Sequence, residues 1–275
     1  MKEISMDFFR DEVRNGFFIP TAVKQAWAAQ LQVLDVIETI CRKHDITYFA
    51  DWGTILGTVR HGGYVPWDDD MDICMKREDY TRFKEAAKTE LPKDFRIHDY
   101  EHQEDHWLFL SRVANSVHIN FEPEHMKQFH NFPYIAVIDI FVLDYLYKDE
   151  QQEKQRCEEV KHIIAVADSI IAGEIAQPVK EANLIQLEEK YHKTFNRKLD
   201  NRHIGIELYR LAEEQMARVP KEESDRMAQI FPWGLLGNRG QDREYYEKFV
   251  RLPFENTTMP VPADYHRILS GKYHD

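Results

Sequence analysis

Cysteine is scarce: Cys41, Cys74 and Cys157 are three residues without C-x-x-C spacing. That excludes a disulfide framework and a cysteine-based zinc site, and it fits a reducing cytoplasm. No apolar stretch approaches the ~18–20 residues of a membrane-spanning helix. The amino end, MKEISMDFFRDEVRNG, alternates charge with Phe instead of building the apolar segment of a signal peptide. The chain is therefore expected to stay in the compartment where it is made. Basic residues are also in deficit, 36 Lys plus Arg against 48 Asp plus Glu for a net charge of −12. That is the wrong sign for a protein whose main partner is a nucleic-acid backbone. Repeats, low-complexity tracts and Gly/Ser-rich linkers are missing, so one compact organisation with a change of character near residue 150 is the simplest reading.

What is present is a 275-residue chain, 43% hydrophobic and 31% charged, the composition of a folded globular protein. Residues 51–150 hold 20 acidic and 11 basic residues, so most of the negative excess lies there. A site so acidic repels phosphates unless cations intervene. After Pro20, the spacing of Val23, Trp27, Leu31, Leu34, Ile37 and Cys41 predicts an amphipathic helix ending near His44. Strands are expected at Ile46–Ala50, Met71–Met75, Trp107–Val113, Val117–Phe121 and Tyr134–Leu143. Short helices are expected at T54-I-L-G-T-V-R and at Arg77–Leu91. From Asp149 to Val219 the pattern is helical, with breaks at Gln177-Pro178 and Asp200-Asn201. F231-P-W-G, N238-R-G, a basic-acidic helix, M259-P-V-P and a short terminal helix complete the chain. The expectation is an α/β fold of the α+β kind, a mixed sheet flanked by helices, with a core over 1–148 and a mainly helical region over 149–275 that completes a cleft.

The chemistry is concentrated in A50-D-W-G-T-I-L-G-T-V-R-H-G-G-Y-V-P-W-D-D-D-M-D-I-C-M. In a strand, Asp70 and Asp72 share one face, extended backward by Asp68, while Met71 and Ile73 face the core. Carboxylates two residues apart can both ligate a hard cation, as magnesium or manganese is held with phosphate substrates. A solvated acidic turn is the alternative. Asp139, within the apolar run I135-A-V-I-D-I-F-V-L, needs a partner for its charge: a metal shared with Asp70 and Asp72, or an arginine such as Arg112. Gly53-Thr54 offers a turn and a hydroxyl where an anion could dock, or only a helix cap. Arg60 and His61 end the following helix, where they either bind phosphate or complement its C-terminus.

These residues resemble the LicD family of phosphotransferases, whose core is nucleotidyltransferase-like. The resemblance rests on W52-G-T-I-L-G-T-V-R-H-G-G-Y-V-P-W-D-D-D-M-D-I, R77-E-D-Y, I138-D-I-F-V-L-D and F254-E-N-T-T-M-P-V-P. It implies transfer of phosphocholine, or a related phospho-substituent, from a CDP-activated donor to a sugar hydroxyl of a cell-surface glycan, with release of CMP. Teichoic acid or lipopolysaccharide would be the kind of acceptor, and a carrier-linked acceptor would bring the enzyme to the inner face of the membrane. The resemblance places Asp70, Asp72 and Asp139 around two Mg2+ or Mn2+ ions, with Asp139 or Asp68 as base. Gly53, Thr54, Arg60, His61 and Arg112 become candidates for the nucleotide phosphates. A quaternary ammonium has no N–H to donate and is recognised by aromatic faces, which makes Tyr64 and Trp67 candidates for choline. A polyol-phosphate or sugar-phosphate transferase of the fukutin type shares the motif, and a non-catalytic divalent-ion or glycan-binding protein is the reading from another class. Val142 stands where the family usually has Pro, and SGKYHD replaces a longer tail, leaving the role of Tyr273 open.

His98, His102 and His106 recur every fourth residue, but their segment reads as strand then polar loop, not a zinc-binding helix face. The stripe Val160, Ile163, Ile164, Ala167, Ile170 and Ile171 is expected to pack in a core.

Overall fold

The computed structural model describes residues 3–103, 106–231, 234–237 and 240–273. Pro232-Trp233 of F231-P-W-G, Asn238-Arg239 of N238-R-G and His274-Asp275 lie outside the described residues. In chain order the elements open with β1 (Glu12–Arg14), β2 (Phe17–Ile19), α1 (Thr21–Lys43), β3 (Phe49–Ala50) and α2 (Trp52–His61). Then come β4 (Asp72–Lys76), α3 (Arg77–Glu90), β5 (Arg96–His98), β6 (Ser111–Ala114), α4 (Pro123–Gln128) and β7 (Val137–Leu146). The rest are α5 (Glu150–Ile171), α6 (Gln177–Tyr191), α7 (Asn201–Met216), β8 (Arg226–Ala228), β9 (Gln241–Asp242), β10 (Phe249–Phe254), β11 (Thr257–Pro262) and α8 (Tyr265–Tyr273).

These group into two compact units, Met1–His98 with Leu110–Leu143 and Gln241–Asp275, and Asp99–Phe109 with Asp144–Gly240. The division therefore differs from a single cut at residue 148. Gln241–Asp275 returns to the first unit because its hairpin, β10 against β11, packs on β3 and α2.

The first unit is built on a mixed sheet of order β3-β4-β7-β6-β5, in which β4 and β7 are the parallel pair and every other pairing is antiparallel. Alternation along the strands decides what faces the core. Ile73 and Met75 of β4 and Ile138 and Ile140 of β7 join Trp27, Leu31, Leu34 and Ile37 of α1 and Phe83 of α3 in one apolar cluster. Helix α1 begins directly after Pro20 and carries Arg42 and Lys43 in its last turn, where positive charge complements the helix dipole. Both ends match the sequence reading.

Two expected strands differ. Trp107–Val113 is reduced to β6, and Val117–Phe121 is not a strand. The polar pair Asn115-Ser116 turns the chain out of the sheet: the Asn115 amide oxygen accepts from the Ala136 N–H at 2.9 Å, and the Ser116 hydroxyl donates to the His118 carbonyl at 2.7 Å. With no strand alongside, Val117, Ile119 and Phe121 are exposed. The basic-acidic helix expected after residue 240 is instead a short 3-10 turn, Arg243–Tyr246, followed by β10.

In the second unit, Val160, Ile163, Ala167 and Ile170 of α5 are buried in one cluster with Ile204, Leu208 and Leu211 of α7, while Ile164 of the expected stripe is partly buried against it and Ile171 is exposed. Asp144–Leu146, the end of β7, pairs antiparallel with β8. Among the described residues no helix is long and apolar enough to cross a membrane.

The glycine spacing of the long motif has a packing cause. Gly62 ends α2 with φ 64°, a left-handed cap that glycine adopts without penalty. A Cβ on Gly57 would overlap the Gly63 carbonyl oxygen, so α2 lies directly on the turn that leads to the acidic segment. Gly57→Ala is therefore expected to cost ~1–3 kcal/mol through overpacking, read as a fall in melting temperature. An unchanged melting temperature would show that helix and turn separate freely.

Candidate active site

Asp72 opens β4 and Asp139 is its register partner on β7, with the Asp139 N–H donating to the Met71 carbonyl at 3.1 Å. Register partners in parallel strands present their side chains to the same face, so the two carboxyls stand side by side at the start of the one parallel pair. Burial, together with the charges of Asp70, Asp139, Asp51 and Asp68, pushes the Asp72 carboxyl up to about 8. Asp68 is raised to about 6, by burial first and then by Asp70. Among the described residues the Asp72 carboxylate has no hydrogen-bond or ion-pair partner of its own, while both oxygens of Asp139 accept from Arg112, at 2.6 Å from Nε and 2.9 Å from Nη2. The alternative partner named for Asp139 is thus the one this structure shows.

This donor set suits a hard divalent cation. It is made of carboxylate oxygens, and burial with the neighbouring carboxylates makes ionisation of Asp72 costly, a cost a cation would offset. Among the described residues, the carboxylates brought close enough for a single ion, one oxygen of each within 4.8 Å of the others, are Asp68, Asp69 and Asp70. Asp72 and Asp139 lie on the strand ends behind them, with Asp139 turned to Arg112.

The acidic turn is fixed from below by α1. Trp27 Nε1 donates to the Asp68 carbonyl at 3.1 Å, and Gln30 Nε2 donates to the Asp69 carbonyl at 2.8 Å. Tyr64 stacks on Trp27 at 4.6 Å and its hydroxyl donates to Gln30 Oε1 at 2.9 Å. With its main chain anchored, the turn holds its carboxylates in place without ordering a flexible loop at each encounter. Glu255 braces the other end: its N–H donates to the Gly62 carbonyl at 2.8 Å, and its carboxylate accepts from the Tyr64 N–H at 3.1 Å and Arg14 Nη1 at 2.7 Å. The F254-E-N-T-T motif thus shapes the site without entering it.

The remaining sequence candidates separate. Gly53 lies under Asp68, whose carboxylate a Cβ would overlap, so this glycine makes room for the acidic turn. Thr54 is buried, and its hydroxyl accepts from the Asp72 N–H at 2.8 Å, tying helix to strand instead of standing open for an anion. Tyr64, expected at a choline site, is a core residue at 2% exposure with no face for a ligand. Trp67 is 59% exposed, flanked by the edge of Phe17 at 6.2 Å and the Arg60 guanidinium at 5.8 Å. His61 accepts from Arg60 Nε at 2.9 Å, and burial beside Arg60 and Arg14 lowers its pKa. His102 pairs with Asp99 and His106 with the Leu108 carbonyl, so neither belongs to a metal-binding group among the described residues.

Sequence reasoning missed Asp51 and Lys272. Asp51 is 2% exposed, its N–H donates to the Asp72 carbonyl at 3.0 Å, and its carboxylate is bound by Lys272 of α8. The Lys272 ammonium also lies 4.2 Å from the Trp52 ring centroid. Burial, and after it the charges of Asp51, Asp68 and Asp72, push the hydroxyl of Tyr273, next on α8, up to about 12. The only signal for this pairing was the acidic residue preceding the Gly-Thr turn.

Residues 45–165 match the family model described as LicD/FKTN/FKRP, nucleotidyltransferase domain. A lipopolysaccharide cholinephosphotransferase LicD of Haemophilus influenzae is 43% identical over 53 residues, which cover 19% of this chain and 20% of that protein. An uncharacterised protein of Rickettsia typhi is 39% identical over 54 residues, covering 20% of this chain and 18% of its own length. The chain thus spans about a fifth of the length of the curated relatives it matches, and its similarity to the LicD/FKTN/FKRP nucleotidyltransferase domain lies over 45–165.

Proposed function

We propose that the chain is a phosphotransferase of the LicD type, moving phosphocholine from CDP-choline to a sugar hydroxyl of a cell-surface glycan and releasing CMP. The observation that supports it most is the side-by-side placement of Asp72 and Asp139 next to the acidic turn, where burial and neighbouring carboxylates push the Asp72 carboxyl up to about 8. Asp70, Asp72 and Asp139 would hold Mg2+ or Mn2+, two ions at full occupancy. A bound ion would screen the diphosphate and offset the charge developing on attacking and leaving oxygens.

The chain's own groups supply the rest. Asp68, raised to about 6, is better matched than an ordinary carboxylate to take the acceptor hydroxyl's proton near neutral pH. Arg112 holds both oxygens of Asp139 and keeps that carboxylate oriented. Arg60, exposed at the end of α2 with its Nε bonded to His61, would meet a donor phosphate through its terminal guanidinium nitrogens. Trp67 offers the exposed aromatic face near the turn, and there Trp67→Leu should raise KM for CDP-choline about tenfold, while KM for CDP-ethanolamine, whose ammonium can donate hydrogen bonds, changes little. An equal loss for both donors would make Trp67 a structural residue.

The reading is tested by incubating the protein with Mg2+ and a panel of CDP-alcohols and measuring CMP. CDP-choline is expected to be the best donor. Preference for a CDP-polyol would assign the fukutin-type reaction, and Mg2+ binding without CMP from any donor would leave a divalent-ion or glycan-binding protein.

A further inference from the structure

We infer that Lys272 is a positioning residue for the active site: it clamps the Asp51–Trp52 corner, and that corner sets Thr54 and, through Thr54, Asp72. The catalytic consequence rests on the phosphotransfer reading; the clamp itself does not.

Asp51 stands immediately before α2, the place of a helix cap, yet its carboxylate makes no cap bond to the helix. It is bound instead by Lys272, with the two side chains 3% and 15% exposed, far from the solvated geometry in which ion pairs contribute little. Trp52 has φ 44°, a left-handed conformation that a bulky L-residue keeps only where its surroundings over-determine it. Two groups do so here. The Lys272 ammonium lies 4.2 Å from the indole centroid, and the Phe141 ring of β7 lies 5.9 Å away. One ammonium therefore holds the charge of Asp51 and the face of Trp52 together.

The corner connects directly to the catalytic strand. The Asp51 carbonyl accepts from the Ile55 N–H at 3.0 Å, starting α2. The Asp51 N–H donates to the Asp72 carbonyl at 3.0 Å, and the Asp72 N–H donates to Thr54 Oγ1 at 2.8 Å. Both hydrogen-bonding groups of the Asp72 main chain are thus tied to this turn, one to Asp51, which Lys272 binds, and one to Thr54, two residues after Trp52. By pairing with Asp51, Lys272 also places a positive charge beside one of the carboxylates that crowd Asp72.

The test combines amide hydrogen exchange with transfer kinetics in Lys272→Met and Lys272→Arg. In Lys272→Met, exchange at Asp51, Ile55 and Asp72 should accelerate on the order of tenfold while α1 amides such as Leu31 and Leu34 stay unchanged; Lys272→Arg should restore protection. Turnover should follow, with kcat falling roughly ten- to a hundredfold in Lys272→Met, donor KM nearly constant, and recovery in Lys272→Arg. Exchange that is unchanged at the corner, or that rises equally in α1, would overturn the clamp. If the wild-type protein releases CMP from no donor, the phosphotransfer reading fails while the exchange comparison still decides the clamp.

Discussion

Asp72→Asn is expected to abolish CMP release, by ~10³-fold or more, in a protein that folds normally, because the substitution keeps the side chain's shape and removes the charge a divalent cation needs. Asp70→Asn and Asp139→Asn should behave alike, the latter testing the same cluster from β7. Asp139→Asn also breaks the bidentate bond with Arg112, so part of its loss should appear as lower stability. The measurement is CMP release at saturating Mg2+ beside a thermal melt of each variant. Near-normal turnover in Asp72→Asn would remove the carboxylate pair from the mechanism.

The same substitution should stabilise the metal-free protein at alkaline pH. A carboxyl raised to about 8 binds its proton more tightly in the folded chain than in the unfolded one. Its contribution to stability is complete below the ordinary carboxylate range and is lost as pH rises through about 8. The buried Cys41, Cys74 and Cys157, whose thiols burial pushes up, add a slope of the same sign at the upper end of the range pH 7 to 8.5, so the share of Asp72 is read as the difference between wild type and Asp72→Asn. At pH 8.5, Asp72→Asn should gain about 2 kcal/mol or more, a rise of ~5 °C in Tm, and reduce the slope. Saturating Mg2+ should remove the excess slope of the wild-type protein over Asp72→Asn, since a ligand of the ionised form stabilises increasingly as the proton leaves. A wild-type Tm that falls no more steeply than that of Asp72→Asn across this range without metal would show that the Asp72 carboxyl is already compensated.

Much of this was legible because it is local. Helix α1 follows from its apolar spacing and Pro20, the breaks before α6 and α7 from Gln177-Pro178 and Asp200-Asn201, and β4 from the run after the acidic turn. Hairpin β10–β11 was hidden by Pro253, Pro260 and Pro262, which argue against a strand inside a sheet but are tolerated in a two-stranded hairpin, where every strand is an edge. Val117–Phe121 misled in the opposite sense, since β-branched alternation carries no information about whether a partner strand lies alongside. The carboxylates could be named from their spacing, whereas their partners could not. Lys272 reaches Asp51 across the chain, and Trp27, which looked like an ordinary core residue of α1, anchors Asp68. Tyr64 and Trp67 lie three positions apart, and only the stacking of Tyr64 on Trp27 decides which of them is left for a ligand.

The central claim, group transfer at the Asp72–Asp139 carboxylate pair, is tested most directly by following CDP-choline with Mg2+ and a glycan acceptor by phosphorus NMR, wild type beside Asp72→Asn. The expected result is loss of the diphosphate signals with equal growth of CMP and a sugar phosphodiester in the wild-type protein, and an unchanged donor in the variant. An unchanged donor in both, or the same conversion in both, would contradict it.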